Sequence, residues 1–264
     1  MSFDLDAYAA RIRLPLVPAQ DAEGLTVVQR AHRLAIPFEN LDVLLGRGVS
    51  LDPDDVFAKL VTGNRGGFCF EQNQLLDRAL AAFGFTARPL LARVWLFAGD
   101  EVPPRTHTLL LVDLDGDQWI ADAGFGGGYA PPMRLADQEE AQGHDGVSHR
   151  LVADPDHGWM LYRRGPAGDW QPQYSFTTER TFDSDLALSS HWAATAPESR
   201  FTHGSTVSIA LPTGYAALAG RSYRRITASE TVESELTSPR ALRLRLSMMF
   251  GLDVTAEEAE RLYG

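Results

Sequence analysis

The sequence predicts an α+β protein in which helices come first and strands follow. Apolar residues recur at helical spacing as far as Phe83, and from about Thr86 the period shortens to two. A third observation is the mixed pattern after about Ser189, where short strands and helices alternate. With 264 residues, the chain suits one domain with sub-domains or two to three small packed units. The expected parts are 1–85, 86–190 and 191–264.

In the first part, Val27, Val28, Ala31, Leu34 and Ala35 mark one helix, and Pro37 stops it. Asp52-Pro53 supplies an N-cap and a first-turn proline for a helix through Leu60, ended by Gly63. A third helix runs from near Gly67 to Phe83, with Gly84 as its stop and Leu75, Leu76, Ala79, Leu80 and Phe83 as its apolar face. In the second part, Leu90, Ala92 and Val94 alternate with polar or bulky neighbours, which reads as strand. Thr106–Leu114 and Gln118–Ala123 form a hairpin around Asp115-Gly116. Residues 124–132 are a glycine- and proline-rich loop, and 137–146 a polar surface excursion. His149–Val152, Trp159–Arg163 and Gln173–Thr177 are further strands. In the third part, Thr206–Leu211 and Ser222–Ile226 read as strands and Gly214–Gly220 as a turn or short connection. Pro239–Phe250 and Thr255–Tyr263 read as helices.

Composition removes several functional classes. Hydrophobic content of 44% and charged content of 22% are those of a soluble globular protein. No apolar run reaches the ~18 residues a membrane span needs, and Met1–Asp6 lacks the apolar segment of a secretory signal. A net charge of -11 argues against nucleic acid as a partner. Lys59 is the only lysine among the basic residues. A single cysteine forbids an internal disulfide and fits the reducing cytoplasm. The scattered histidines give no metal-ligand spacing, so no metal is expected.

That cysteine is the main chemical candidate. Cys69 follows Gly66 and Gly67 and falls in the first turn of an amphipathic helix, where free N–H groups and the helix dipole favour a thiolate. Arg65 adds a nearby positive charge. A thiol nucleophile needs a base, and the base needs an orienting group. His107 and Asp122 lie on the two hairpin strands. With a two-residue turn, Leu114 opposes Asp117, and His107 and Asp122 become diagonal neighbours on one face, about 7–8 Å apart at the backbone. A slip of one residue would separate them. The plainer alternatives are a buried inert cysteine, a loop histidine and an aspartate that shapes a turn.

Arg65-Gly66-Gly67-Phe68-Cys69-Phe70-Glu71 resembles the cysteine motif of the arylamine N-acetyltransferases of bacterial type. Ile36-Pro37-Phe38-Glu39-Asn40-Leu41-Asp42, the run from His107 to Val112, and Ala121-Asp122-Ala123-Gly124-Phe125-Gly126-Gly127 are similar to further elements of that family. Thr195-Ala196-Pro197-Glu198-Ser199-Arg200-Phe201 resembles a later element in which Ala196 replaces a histidine. The resemblance implies a three-part fold with a papain- and transglutaminase-like Cys-His-Asp core. A helical bundle carries Cys69, a β-barrel carries His107 and Asp122, and an α/β lid closes the cleft.

The resemblance also implies an activity: acetyl transfer from acetyl-CoA to an arylamine or hydrazine, in ping-pong fashion, through an acetyl-cysteine. Phe38, Phe68, Phe125 and Phe201 are candidates for the acceptor pocket. Gly126, Gly127 and Gly128 are candidates for the CoA pyrophosphate. Thr108 and the Arg221–Arg225 cluster are further CoA candidates. Three alternatives stand beside this reading. One is an amide synthase of the same family acting on a tethered polyketide chain. Another is a transglutaminase- or peptidase-like cysteine hydrolase, and the third is a binding protein with an inert cysteine.

Overall fold

The computed structural model describes residues 3–264 apart from residues 97, 100, 144 and 167. The expectations for Met1–Asp6 and for 137–146 therefore lie partly outside the described residues. The helical part comprises α1 (Leu5–Arg11), α2 (Ala22–Ala35), a two-residue strand β1 (Phe38–Glu39), α3 (Leu41–Leu44), α4 (Pro53–Phe57) and α5 (Cys69–Ala82). Local chemistry sets the starts. Asp21 Oδ1 accepts the Gly24 N–H at 2.8 Å, and Asp52 Oδ1 accepts the Asp54 N–H at 2.9 Å. The helix expected through Leu60 is α-helical only to Phe57. It widens into a π turn over Ala58–Thr62, closed by a 2.7 Å bond from Gly63 N–H to Ala58 O.

The second part is β2 (Thr86–Val94), β3 (Arg105–Leu114), β4 (Asp117–Ala121), β5 (Met133–Arg134), β6 (Glu140–Gln142), β7 (Ser148–Asp154), β8 (Gly158–Arg164) and β9 (Gln171–Phe176). They form one antiparallel sheet in the order β5-β4-β3-β2-β9-β8-β7-β6, curled into a nearly closed barrel. The excursion at 137–146 thus holds a short edge strand, β6, paired with β7. Strand β3 is buried on both faces. Leu109 and Leu111 point into the barrel with Leu151 and Leu161. Leu110 and Val112 pack outward on Leu75, Leu76, Ala79 and Leu80 of α5. Helix and sheet are thereby fixed to each other through apolar contact, at about 25 cal/mol per Å² buried. Asp115 and Gly116 have φ of 53° and 85°, the left-handed pair that a two-residue hairpin turn demands. The register runs from Leu114↔Asp117 to Leu110↔Ala121, as the turn length requires.

The third part holds α6 (Asp183–Thr195), β10 (Thr206–Leu211), β11 (Gly214–Ala219), β12 (Ser222–Thr227), β13 (Thr231–Glu235), α7 (Pro239–Phe250) and α8 (Ala256–Tyr263). The boundary expected at 190/191 falls inside α6. Of the 214–220 segment expected as a connection, Gly214–Ala219 is a strand and Gly220 lies in the turn after it. Their small side chains carry little strand preference, and pairing with β10 and β12 decides their state. The second sheet has the order β1-β10-β11-β12-β13. Strand β1 therefore reaches from the helical part into this sheet, with Phe38 opposite Ser208. It also bonds the Cys69 loop, through Glu39 N–H to Gly67 O at 3.0 Å. Among the described residues, no helix is long and apolar enough to cross a membrane.

Candidate active site

Cys69 is the first residue of α5, and a buried polar frame holds the loop before it. Glu71 accepts the Phe68 N–H at 3.0 Å, which ties the helix start to its own first turn. The same carboxylate accepts from Lys59 Nζ at 2.7 Å, and Lys59 also meets Asp42 at 2.9 Å. Arg65 joins Glu39 at 2.7 Å and Asp42 at 3.1 Å. Burial alone would lower the Lys59 pKa, but Glu71, Glu39 and Asp42 outweigh it and raise it. The charge of Arg65, expected to act on Cys69, is thus committed to Glu39 and Asp42. Gly66 is required by close approach: a Cβ there would lie 2.2 Å from Pro37 O.

A second chain of bonds runs from the N-terminal helix to the same loop. Tyr8 OH bonds His32 Nδ1 at 2.9 Å, and His32 Nε2 bonds Gln72 Oε1 at 2.7 Å. Gln72 Nε2 then donates to Pro37 O and Gly67 O at 2.7 and 3.2 Å. Burial pushes the His32 pKa down to about 3, so this histidine is a neutral connector.

His107 and Asp122 meet as the hairpin register implies. His107 Nε2 and Asp122 Oδ2 are 2.8 Å apart, and both side chains are buried. The carboxylate also accepts from Asn73 Nδ2 at 3.0 Å and from the Gly124 N–H at 2.7 Å. Its backbone N–H donates to Gln29 Oε1 at 2.9 Å. Burial would raise the Asp122 pKa, but His107, Asn73 and Gly124 hold it below the usual carboxylate value. The same bond works in reverse on His107. Burial would lower its pKa, but the Asp122 charge and hydrogen bond, aided by Cys69, raise it. With Nε2 bound to Asp122, Nδ1 is the ring nitrogen left to serve Cys69, whose Sγ lies 3.8 Å from Thr106 O. Phe125 and Tyr174 enclose the imidazole, with ring centroids 5.1 and 5.0 Å away.

Asn73 was not among the expected site residues, although its spacing from Cys69 makes it visible. It lies four residues along α5, on the same helix face. Besides Asp122 it bonds Thr108 O at 2.6 Å and the Ala123 N–H at 2.9 Å, so the nucleophile's helix also fixes the carboxylate's loop. Gly124 closes this junction. A Cβ there would sit 2.6 Å from both Cys69 Cα and Asn73 Nδ2. Gly124→Ala is expected to cost about 2 kcal/mol through overpacking, seen as a lower Tm together with weaker activity. An unchanged Tm in a thermal melt would contradict the packing.

A cleft of about 300 Å³ opens beside Cys69 and His107, with Phe38, Phe125, Phe201, Leu96 and Trp192 among its walls. A neighbouring chamber of about 360 Å³ includes Asp122 and the Gly126–Gly128 loop. Three of the four expected acceptor-pocket phenylalanines line the cleft. Phe68 instead packs in the core on Phe70 and Phe201, at 5.4 and 6.2 Å between centroids. The Gly127 N–H is engaged by Ser208 Oγ at 2.8 Å. Thr108 donates to Leu90 O at 2.9 Å and lines neither space. The arginine cluster also lies elsewhere. Arg221 bonds Tyr263 O at 3.0 Å, Arg224 pairs with Glu233 at 2.9 Å, and Arg225 pairs with Glu230. For the acetyl-CoA donor that the family resemblance implies, Arg224→Glu is therefore expected to leave KM unchanged in steady-state assays, and a severalfold rise would return the cluster to the site.

The sequence profile of the N-acetyltransferase family matches residues 21–259. The arylamine N-acetyltransferase / N-hydroxyarylamine O-acetyltransferase of Salmonella typhimurium is 41% identical over 215 residues, covering 81% of this chain and 75% of that protein. A solved structure of the Mycobacterium marinum arylamine N-acetyltransferase in complex with CoA superposes with a TM-score of 0.91 at 31% identity, covering 98% of each chain. The proansamycin X synthase of Amycolatopsis mediterranei is 33% identical over 188 residues, covering 67% of this chain and 68% of that one. Profile, sequence and fold agree across nearly the whole length: the chain belongs to the arylamine N-acetyltransferase family.

Proposed function

We propose that the protein moves the acetyl group of acetyl-CoA onto an aromatic amine or hydrazine through an acetyl-Cys69 intermediate. The observation that carries this reading is the 2.8 Å His107–Asp122 bond beside Cys69, in a cleft with aromatic walls. His107 takes the Cys69 proton, and Asp122 orients the ring and stabilises its positive charge. The thiolate attacks the thioester carbonyl. Collapse of the tetrahedral adduct expels the CoA thiolate, which receives the proton from His107. The amine then attacks acetyl-Cys69, His107 accepts the amine's proton, and the thiolate leaves. Backbone N–H groups in the first turn of α5, Cys69 included, lack intrahelical acceptors and suit the oxyanion.

On this reading residues 1–85 supply the nucleophile, 86–190 supply the base and its orienter, and 191–264 cover the cleft. Phe38, Phe125 and Phe201 form the acceptor's apolar walls, and the Gly126–Gly128 loop receives CoA phosphates. The reaction belongs in the cytoplasm, where the single thiol stays reduced. Initial rates at several fixed amine concentrations test the order of events. Parallel double-reciprocal lines are expected for a covalent intermediate, whereas intersecting lines would mean direct transfer in a ternary complex.

A second reading is an amide synthase that takes its acyl group from a tethered chain. It is kept because the relatives include a protein named as a synthase as well as acetyltransferases. Failure of acetyl-CoA to acylate Cys69 would favour it.

A further inference from the structure

The chamber next to the catalytic cleft has an unusual wall. In the barrel, Leu151 and Leu161 point inward and are fully buried. His149 and Arg163 lie two residues from them on the same strands, so they share that inward face at the barrel's open end. They are also directly opposed across the β7–β8 ladder, which brings their Cβ atoms to about 5 Å. An inward-facing arginine normally meets a carboxylate, because an uncompensated charge is costly away from water. The Arg163 side chain makes no ion pair or hydrogen bond among the described residues. His149 is buried, and its Nδ1 has no hydrogen-bond partner. Burial and then the Arg163 charge push its pKa down to about 3, so it is a neutral imidazole beside a cation.

The rest of the chamber has the same polarity. Arg33 and Arg200 also line it, and among the described residues Asp122 is its only carboxylate. That carboxylate is already bound to His107 and Asn73. The protein as a whole carries a net charge of -11, so three arginines around one engaged acid are a local reversal. The chamber shares Phe38, Leu96, Phe125, Arg200 and Phe201 with the cleft, so a ligand reaching Cys69 can extend into it.

We propose that His149 and Arg163 form an oxyanion subsite, which receives a carboxylate or phosphate of a ligand held in the adjoining cleft. The guanidinium supplies two parallel donors and the charge, and the imidazole N–H supplies a third donor. Two sources fit this chemistry under the function proposed above: a carboxylate on the aromatic amine, or a phosphate of the acyl donor.

Equilibrium titration of the full chain and of Arg163→Gln with four probes separates them. The probes are 4-aminobenzoate, neutral 4-methoxyaniline, CoA, and pantetheine, which lacks the phosphates. The substitution is expected to weaken one anionic probe by about tenfold or more while sparing its neutral counterpart. Selective loss of 4-aminobenzoate identifies the acceptor carboxylate, and selective loss of CoA identifies the donor phosphate. Arg163→Lys should restore part of the affinity. In the unaltered protein the same anionic probe should shift the His149 ring resonances and its neutral counterpart should not. Equal losses for neutral and anionic probes, no loss for any, or His149 signals unmoved by both anions would overturn the proposal. These readings need no turnover, so they remain decisive even if the chain fails to acetylate amines.

Discussion

Cys69→Ala is expected to abolish acetyl transfer, lowering kcat/KM by roughly 10⁵–10⁶-fold, or about 7–8 kcal/mol of transition-state stabilisation. The size follows from the division of labour. Cys69 is the chain's only thiol, and its loss leaves His107 and Asp122 with nothing to activate. The side chain is small and buried at the start of α5, so the loss should leave the fold intact, with a nearly unchanged circular dichroism spectrum and thermal midpoint. Cys69→Ser should be almost as inactive, because a hydroxyl is a far weaker acid than a thiol and the imidazole that serves one cannot readily deprotonate the other. A serine variant working at the parent rate would remove the nucleophile from the mechanism.

Asp122→Asn is the second large effect, expected to cost roughly 10³–10⁴-fold in kcat/KM, about 4–5 kcal/mol. The aspartate accepts from His107, Asn73 and Gly124 at once. An amide in its place turns one acceptor oxygen into a donor, which faces groups that are themselves donors. It also removes the main influence that raises the His107 pKa. What remains is burial, the largest influence, which acts downward, against the smaller upward influence of Cys69. The imidazolium should therefore lose its proton at lower pH than in the parent protein, a shift readable in the ring resonances of His107. The sign matters, because a merely structural role for Asp122 would lower activity without moving that titration in this direction. Loss of Asn73 should produce a smaller version of the same change.

Much of this site could be read from the chain because its determinants are local. The Asp115-Gly116 turn sets the register, and the register puts His107 and Asp122 on one face. The Cys69 helix was legible from its apolar face and from the glycine that stops it. The missed features depend on distant partners. Strand β11 owes its state to β10 and β12, while β1 is a strand only because β10 lies beside it. The fully exposed edge strand β13 has a polar sequence with no apolar alternation. Helix α6 leaves Leu188 exposed, so its apolar residues do not mark a single face. In the site itself, Arg65 looked like a charge for Cys69, because nothing near it in sequence reveals that Glu39 and Asp42 fold onto it. Thr108 looked available beside His107, yet strand alternation turns it to the opposite face, against Leu90. Lys59, the lone lysine, gained its meaning only from the three carboxylates gathered around it.

The most direct test of covalent transfer needs no amine. The protein is mixed with acetyl-CoA alone, desalted and measured by intact-mass and peptide mass spectrometry. A gain of one acetyl group on the peptide containing Cys69 is expected, absent in Cys69→Ala and discharged when an arylamine is added. An unmodified Cys69, in protein that nonetheless acetylates an arylamine once both substrates are present, would contradict the acetyl-cysteine intermediate.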